Sequence, residues 1–140
     1  MIASARLSTA LTLLAALTMS GCATSDEDIR MVGVVFDPGS ESIEISDEIT
    51  GAESVMYRFA GEPGEALQVS LRPTDEPVEF VLYAPGPWPG EEMFDSRTAG
   101  SREYEGELYR DGMHAVQVIR TGGARGGEPS ARYELVLTKR

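Results

Sequence analysis

The chain has 140 residues but only one cysteine, one histidine and one tryptophan. A single cysteine forms no internal disulfide, so any domain built here is held together by burial alone. One histidine and one cysteine cannot supply the four-ligand shell of a structural zinc. Acids are plentiful, yet none follows the Asp-x-Asp-x-Asp-Gly spacing of a calcium loop, and Glu91, Glu92 and Asp95 read as a charged loop. The histidine, His114, follows an Asp111-Gly112 turn and has no Gly-x-Ser-x-Gly elbow nearby, so it is expected at the surface beside that turn. No catalytic residue, metal or cofactor is therefore expected, and the protein reads as a non-enzyme. Basic charge is also scarce: 12 Lys and Arg stand against 23 Asp and Glu, for a net charge of −11. Nucleic acid, whose phosphates demand a positive surface, is excluded as a partner. A basic partner would instead be attracted, at a rate that falls with salt.

The one long apolar run lies at the start. After Arg6, the segment Leu11-Thr12-Leu13-Leu14-Ala15-Ala16-Leu17 carries no charge and leads to Met19-Ser20-Gly21-Cys22. A short apolar stretch ending in small residues is an export signal, too short to span a membrane comfortably. Its Ser-Gly-Cys ending resembles a bacterial lipobox. That resemblance implies a signal peptide over residues 1–21 and a lipid (such as palmitate) on Cys22, and Ala23 in the next position implies the outer membrane. Residues 22–30, with Asp26-Glu27-Asp28, read as a short acidic tether, and residues 31–140 as a single domain. The protein is then an outer-membrane lipoprotein facing the periplasm.

Beyond the tether the apolar residues alternate with period two, as in half-buried strands. Strands are predicted over residues 31–36, 43–49, 55–59, 67–71, 78–82, 104–108, 115–119 and 133–137. Between them stand turn clusters such as Asp37-Pro38-Gly39, Gly61-Glu62-Pro63-Gly64 and Pro85-Gly86-Pro87-Trp88-Pro89-Gly90. About eight regularly punctuated strands, with no helical pattern after the signal, give an all-β chain: a single antiparallel β-sandwich, jelly-roll-like.

Three loops carry the candidate partner-binding residues. Gly122-Gly123-Ala124-Arg125-Gly126-Gly127 lacks the Lys-Ser/Thr of a phosphate loop, which leaves nucleotide binding unsupported. It reads as a mobile hairpin tip, but Arg120 and Arg125 there offer guanidinium groups suited to a carboxylate. Trp88, set between prolines, is either an exposed aromatic anchor or folded back over the sandwich edge. Asp111, Gly112 and His114 form the third set.

The order of these elements resembles the periplasmic inhibitors of g-type lysozyme and related β-sandwich envelope proteins. The matching residues are Val34-Val35-Phe36, Gly39-Ser40, Tyr57-x-Phe59, Gly64-Glu65, Leu67-x-Val69-x-Leu71, Phe80, Pro85-Gly86, Leu108, Asp111-Gly112, Val116-x-Val118, Arg120, Ala124-Arg125 and Tyr133-x-Leu135. The resemblance implies a sandwich whose protruding loops occlude the lysozyme's substrate cleft. Where such inhibitors commonly read Ser-Gly-x-Tyr, this chain reads Asp111-Gly112-Met113-His114. A guanidinium from Arg120 or Arg125 would pair with the catalytic carboxylate. The alternative is a non-catalytic envelope lipoprotein that binds glycan or another envelope protein.

Overall fold

The computed structural model describes residues 28–75, 77–121 and 130–140. The signal, Cys22, most of the tether and the glycine-rich segment with Arg125 lie outside the described residues.

Nine strands form two sheets. They are β1 (Ile29–Gly33), β2 (Ser42–Thr50), β3 (Ser54–Gly61), β4 (Ala66–Pro73), β5 (Val78–Ala84), β6 (Glu91–Asp95), β7 (Glu103–Glu107), β8 (Gly112–Arg120) and β9 (Ser130–Lys139). One sheet has the order β1-β3-β8-β5-β6 and the other β2-β9-β4-β7. From β2 onward the chain passes from one sheet to the other at every connection except the β5–β6 hairpin. The orders β3-β8-β5-β6 and β2-β9-β4-β7 are those of a jelly roll, as the sequence predicts.

Alternation along the strands builds the core between the sheets. Tyr57, Phe59, Phe80, Leu82, Val116 and Val118 from the first sheet meet Ile49, Leu67, Val69, Leu71, Leu135 and Leu137 from the second, all buried. Each such side chain contributes about 1.5–3 kcal/mol relative to exposure, which is how the domain stands without a disulfide.

Three features depart from the sequence reading. First, β1 starts at Ile29 and pairs with β3 in parallel, Ile29 beside Ser54 and Gly33 beside Arg58. Ile29 and Arg30 thus belong to the sheet and not to the tether, and the sandwich is antiparallel apart from this edge. Second, β6 was hidden because its apolar residues, Met93 and Phe94, are adjacent. A bulge opposite Leu82 and Tyr83 breaks the register there, and both residues pack against the core. Third, a single helical turn, α1 (Ser96–Ala99), follows β6. Asp95 caps it by accepting from the Arg97 N–H at 2.9 Å, and Gly100 ends it in the left-handed region at φ 68°. Asp95 is also bound by the Arg97 guanidinium, so its carboxylate serves the turn.

Candidate functional site

Strand register sorts the connections onto two ends of the sandwich. At one end Gly61 lies opposite Gly112, Ala84 opposite Glu91 and Ala66 opposite Glu107. This end, called here the Trp88 end, gathers residues 62–65, 85–90 and 108–111. At the other, Arg120 lies opposite Val78, Pro73 opposite Tyr133 and Thr50 opposite Ser130. The nine residues of β8 separate the two ends by about 25–30 Å. Arg120 and the Asp111-Gly112 turn therefore belong to opposite poles, and the sequence-derived site residues do not converge on one patch.

At the Arg120 end, Arg120 is half-buried in the last position of β8 and does not project from a loop. Close by lies a polar network that the sequence reading missed. The Tyr57 hydroxyl donates to Asp47 at 2.6 Å, which leaves the Tyr133 hydroxyl to donate to Tyr57, also at 2.6 Å. Arg30 of β1 grips Asp47 through Nη1 and Nη2 at 3.0 and 3.1 Å and Glu53 through Nε at 2.8 Å. Burial opposes the charge on Asp47. The hydrogen bonds from Arg30, Tyr57 and the Glu48 N–H outweigh it, and the carboxyl is held below its ordinary range. Burial first, then Asp47, pushes the Tyr57 hydroxyl far above the usual phenol value, so it stays a donor. An open groove of about 480 Å³ lies alongside, lined by Asp47, Glu48, Thr74, Arg132, Tyr133 and Glu134. Charge on its wall is largely balanced: Arg30 holds Asp47, Arg72 pairs with Glu134, and Arg132 lines the same groove.

At the Trp88 end the loop between β5 and β6 is fastened down. The Gly90 N–H donates to Pro87 O at 2.7 Å, and Arg110 Nη1 donates to Pro85 O at 2.9 Å while pairing with Glu91. Gly112 has φ 128°, which favours glycine, and a Cβ there would press on Pro85 Cγ at 3.2 Å. On this frame Trp88 is 63% exposed, Tyr109 51% and Met113 44%. The structure thus settles the placement of Trp88: it stands out from the sandwich edge. Asp111 is exposed and Gly112 half-buried beside it.

His114 is a correction. It is fully buried, at 0% exposure, and not a surface residue. The period of two that points Met113 outward turns His114 into the core. Its ring stacks on Phe59 at 5.7 Å, and Nδ1 donates to the Gly112 carbonyl at 3.2 Å. Among the described residues Nε2 has no hydrogen-bond partner. Burial pushes its pKa below the ordinary histidine value, against weaker raising effects from Gly112, Glu65 and Asp111. The side chain packs as a neutral ring and touches no partner directly. Among the described residues no cluster of three His, Cys, Asp or Glu could hold a metal ion.

No family model matches this chain, and no curated protein matches it by sequence. Solved structures do. Aeromonas hydrophila PliG, a periplasmic inhibitor of g-type lysozyme, superposes with a TM-score of 0.70 at 24% identity, over 81% of this chain and 98% of that one. The Salmonella Typhimurium inhibitor of the same kind gives 0.59 at 24% identity, over 79% and 98%. The fold is that of the periplasmic inhibitors of g-type lysozyme. It also occurs elsewhere: the pre-peptidase C-terminal domain of a Bacillus anthracis collagenase gives 0.54 at 15% identity, over 80% of this chain and 96% of that one.

Proposed function

We propose that this protein is an exported inhibitor of g-type lysozyme, not an enzyme, held at the outer membrane by lipid on Cys22 and facing the periplasm. The observation that carries the reading is the superposition on the Aeromonas hydrophila inhibitor, which leaves almost none of that inhibitor's length unmatched. Charge supports it: the whole chain carries −11, and the part after residue 21, which lacks Arg6, has 11 basic against 23 acidic residues, a net of −12. Such a body accelerates encounter with a cationic enzyme. In this proposal the loops occlude the muramidase cleft, and a guanidinium pairs with a catalytic carboxylate, where a desolvated contact counts most. Arg120 is anchored in β8, so Arg125 is assigned the reaching role. Trp88, Asp111 and Gly112 form a second contact set at the opposite pole, with His114 supporting their turn from beneath.

The test is a muramidase assay with the soluble domain beginning at Ala23, titrated into a g-type lysozyme with a c-type enzyme as control. Stoichiometric inhibition of the g-type enzyme alone is expected, and Arg125→Ala should weaken it at least about tenfold. Activity undiminished at micromolar inhibitor would sink the proposal. The fold occurs outside inhibitors too, in a collagenase domain, and the second reading makes the same sandwich a non-inhibitory envelope module that binds glycan or an envelope protein. Retention on peptidoglycan without loss of lysozyme activity would favour it.

A further inference from the structure

Almost every cation described in this protein is already engaged. Arg30, Arg72, Arg97, Arg102, Arg110, Arg132, Lys139 and Arg140 each pair with a carboxylate within 4.0 Å, and Arg120 has an interaction of its own. Arg58 is different. Among the described residues its guanidinium has no ion pair and no hydrogen bond, although acids outnumber bases about two to one in the chain. It is exposed on the outer face of the first sheet, in register with Ala115 of β8, which in turn lies beside Tyr83 of β5. The small Ala115 side chain leaves a hollow between its larger neighbours. The fastened β5–β6 loop closes one side, giving a cleft of about 160 Å³ lined by Arg58, Pro85, Trp88, Pro89, Met113 and Ala115.

These walls specify a ligand class. Apart from Arg58 the lining side chains are apolar, and one directional charge beside apolar side chains is how small-molecule sites fix orientation. The indole of Trp88 offers a flat amphipathic platform for a ring. The volume lies well below the roughly 300 Å³ at which drug-sized pockets begin, so it admits one ring and not an oligomer. The unpaired guanidinium calls for an anion, and a carboxylate can meet it through two parallel N–H donors. Since the body is strongly acidic, a polyanion would be repelled, and a monoanion is the charge that fits. We infer that the Arg58–Trp88 cleft is a binding subsite for a single sugar ring bearing one carboxylate. The inference deepens the glycan-binding reading above and does not depend on the Arg125 contact, since the cleft sits at the opposite pole from Arg120; it shares only Trp88 with the second contact set.

Trp88 is the only tryptophan, so indole emission, excited at the red edge where tyrosine does not absorb, reports on this cleft alone. The folded soluble domain would be titrated with N-acetylmuramic acid, with neutral N-acetylglucosamine and with sodium acetate. A saturable emission change is expected with the acid sugar, at least about tenfold weaker with either control, as loss of one charge-assisted contact implies. Arg58→Gln should weaken the acid-sugar response by a similar factor while the melting temperature stays unchanged. An equal response to N-acetylglucosamine, or an unaltered one in Arg58→Gln, would overturn the role of Arg58. An equal response to acetate would reduce the cleft to a general anion site and overturn the sugar assignment, and no saturable change with any of the three would overturn the subsite altogether.

Discussion

Two buried polar groups set the chemistry of single residues here, and they act in opposite senses. The Tyr57 hydroxyl is shared by Asp47 and Tyr133, so Tyr57→Phe takes one of several donors from Asp47 and leaves the Tyr133 hydroxyl without its partner. That substitution should cost about 1–3 kcal/mol, read as a lowered urea midpoint with an unchanged slope. His114 is buried neutral, with a folded pKa below its ordinary value of 6.5. The unfolded chain therefore binds the extra proton first as pH falls. Stability is complete above pH 6.5, declines from there down to the depressed folded pKa, and then levels off with respect to this group. His114→Phe, which keeps the stack on Phe59, should flatten the melting temperature between pH 6.5 and 5 relative to the parent protein. Parallel curves for the two proteins would show that His114 does not set this acid response.

At the scale of elements, β8 ties the Trp88 end to the core through close approach of backbones. Gly61 faces Gly112 across the β3–β8 pair, and a Cβ on Gly61 would lie 2.6 Å from Leu108 Cδ1 and 2.8 Å from His114 Nδ1. Neither neighbour has room to move, as both are buried. Gly61→Ala should thus destabilise by about 1–3 kcal/mol through overpacking, measurable in the same urea melts. β1 is the element least explained by its own sequence. It is an edge strand whose outward Val35 neighbour is 82% exposed, and Arg30 fixes its start through Asp47, Glu53 and the Glu48 carbonyl at 3.0 Å. The exposure of Arg30 discounts each ion pair, while its several hydrogen bonds give the clamp its geometry.

For the whole molecule, the decisive geometry is where the chain enters. Ile29 lies beside Ser54, and the Ser54 N–H donates to Asp28 O at 3.0 Å, so the chain enters the sandwich at the Arg120 end. If Cys22 carries lipid, the six steps to Asp28 span at most about 20 Å, which holds that end close to the bilayer. The Trp88 end then points away from the membrane. An inhibitory contact made at the Arg120 end would be crowded by the bilayer, so lengthening the tether with a Gly/Ser insert should raise inhibition by the protein anchored on vesicles. Inhibition that is equal for the native tether, the extended tether and the soluble domain would place the contact at the Trp88 end instead.

Much of this was legible in the chain. Period-two alternation and turn clusters marked eight of the nine strands and the jelly-roll class, because each of those strands buries one face and each turn needs glycine or proline. β6 escaped since a bulge breaks its alternation, and β1 was displaced since Arg30, polar by composition, is spent on the half-buried carboxylates of Asp47 and Glu53. Other decisions were tertiary. Whether Trp88 stood out or folded back depended on contacts between the β5–β6 loop and the β7–β8 turn. His114 and Met113 are neighbours in sequence, yet the pleat sends one into the core and the other to solvent. Above all, sequence order places Asp111 and Arg120 nine residues apart, which reads as proximity; a strand makes that interval the length of the molecule. The sequence by itself determined which residues are apolar, which are charged and where the chain turns, because these are local properties. Which of them share a surface was decided only by the folded sandwich, because strand register and the crossing between sheets are set by long-range packing.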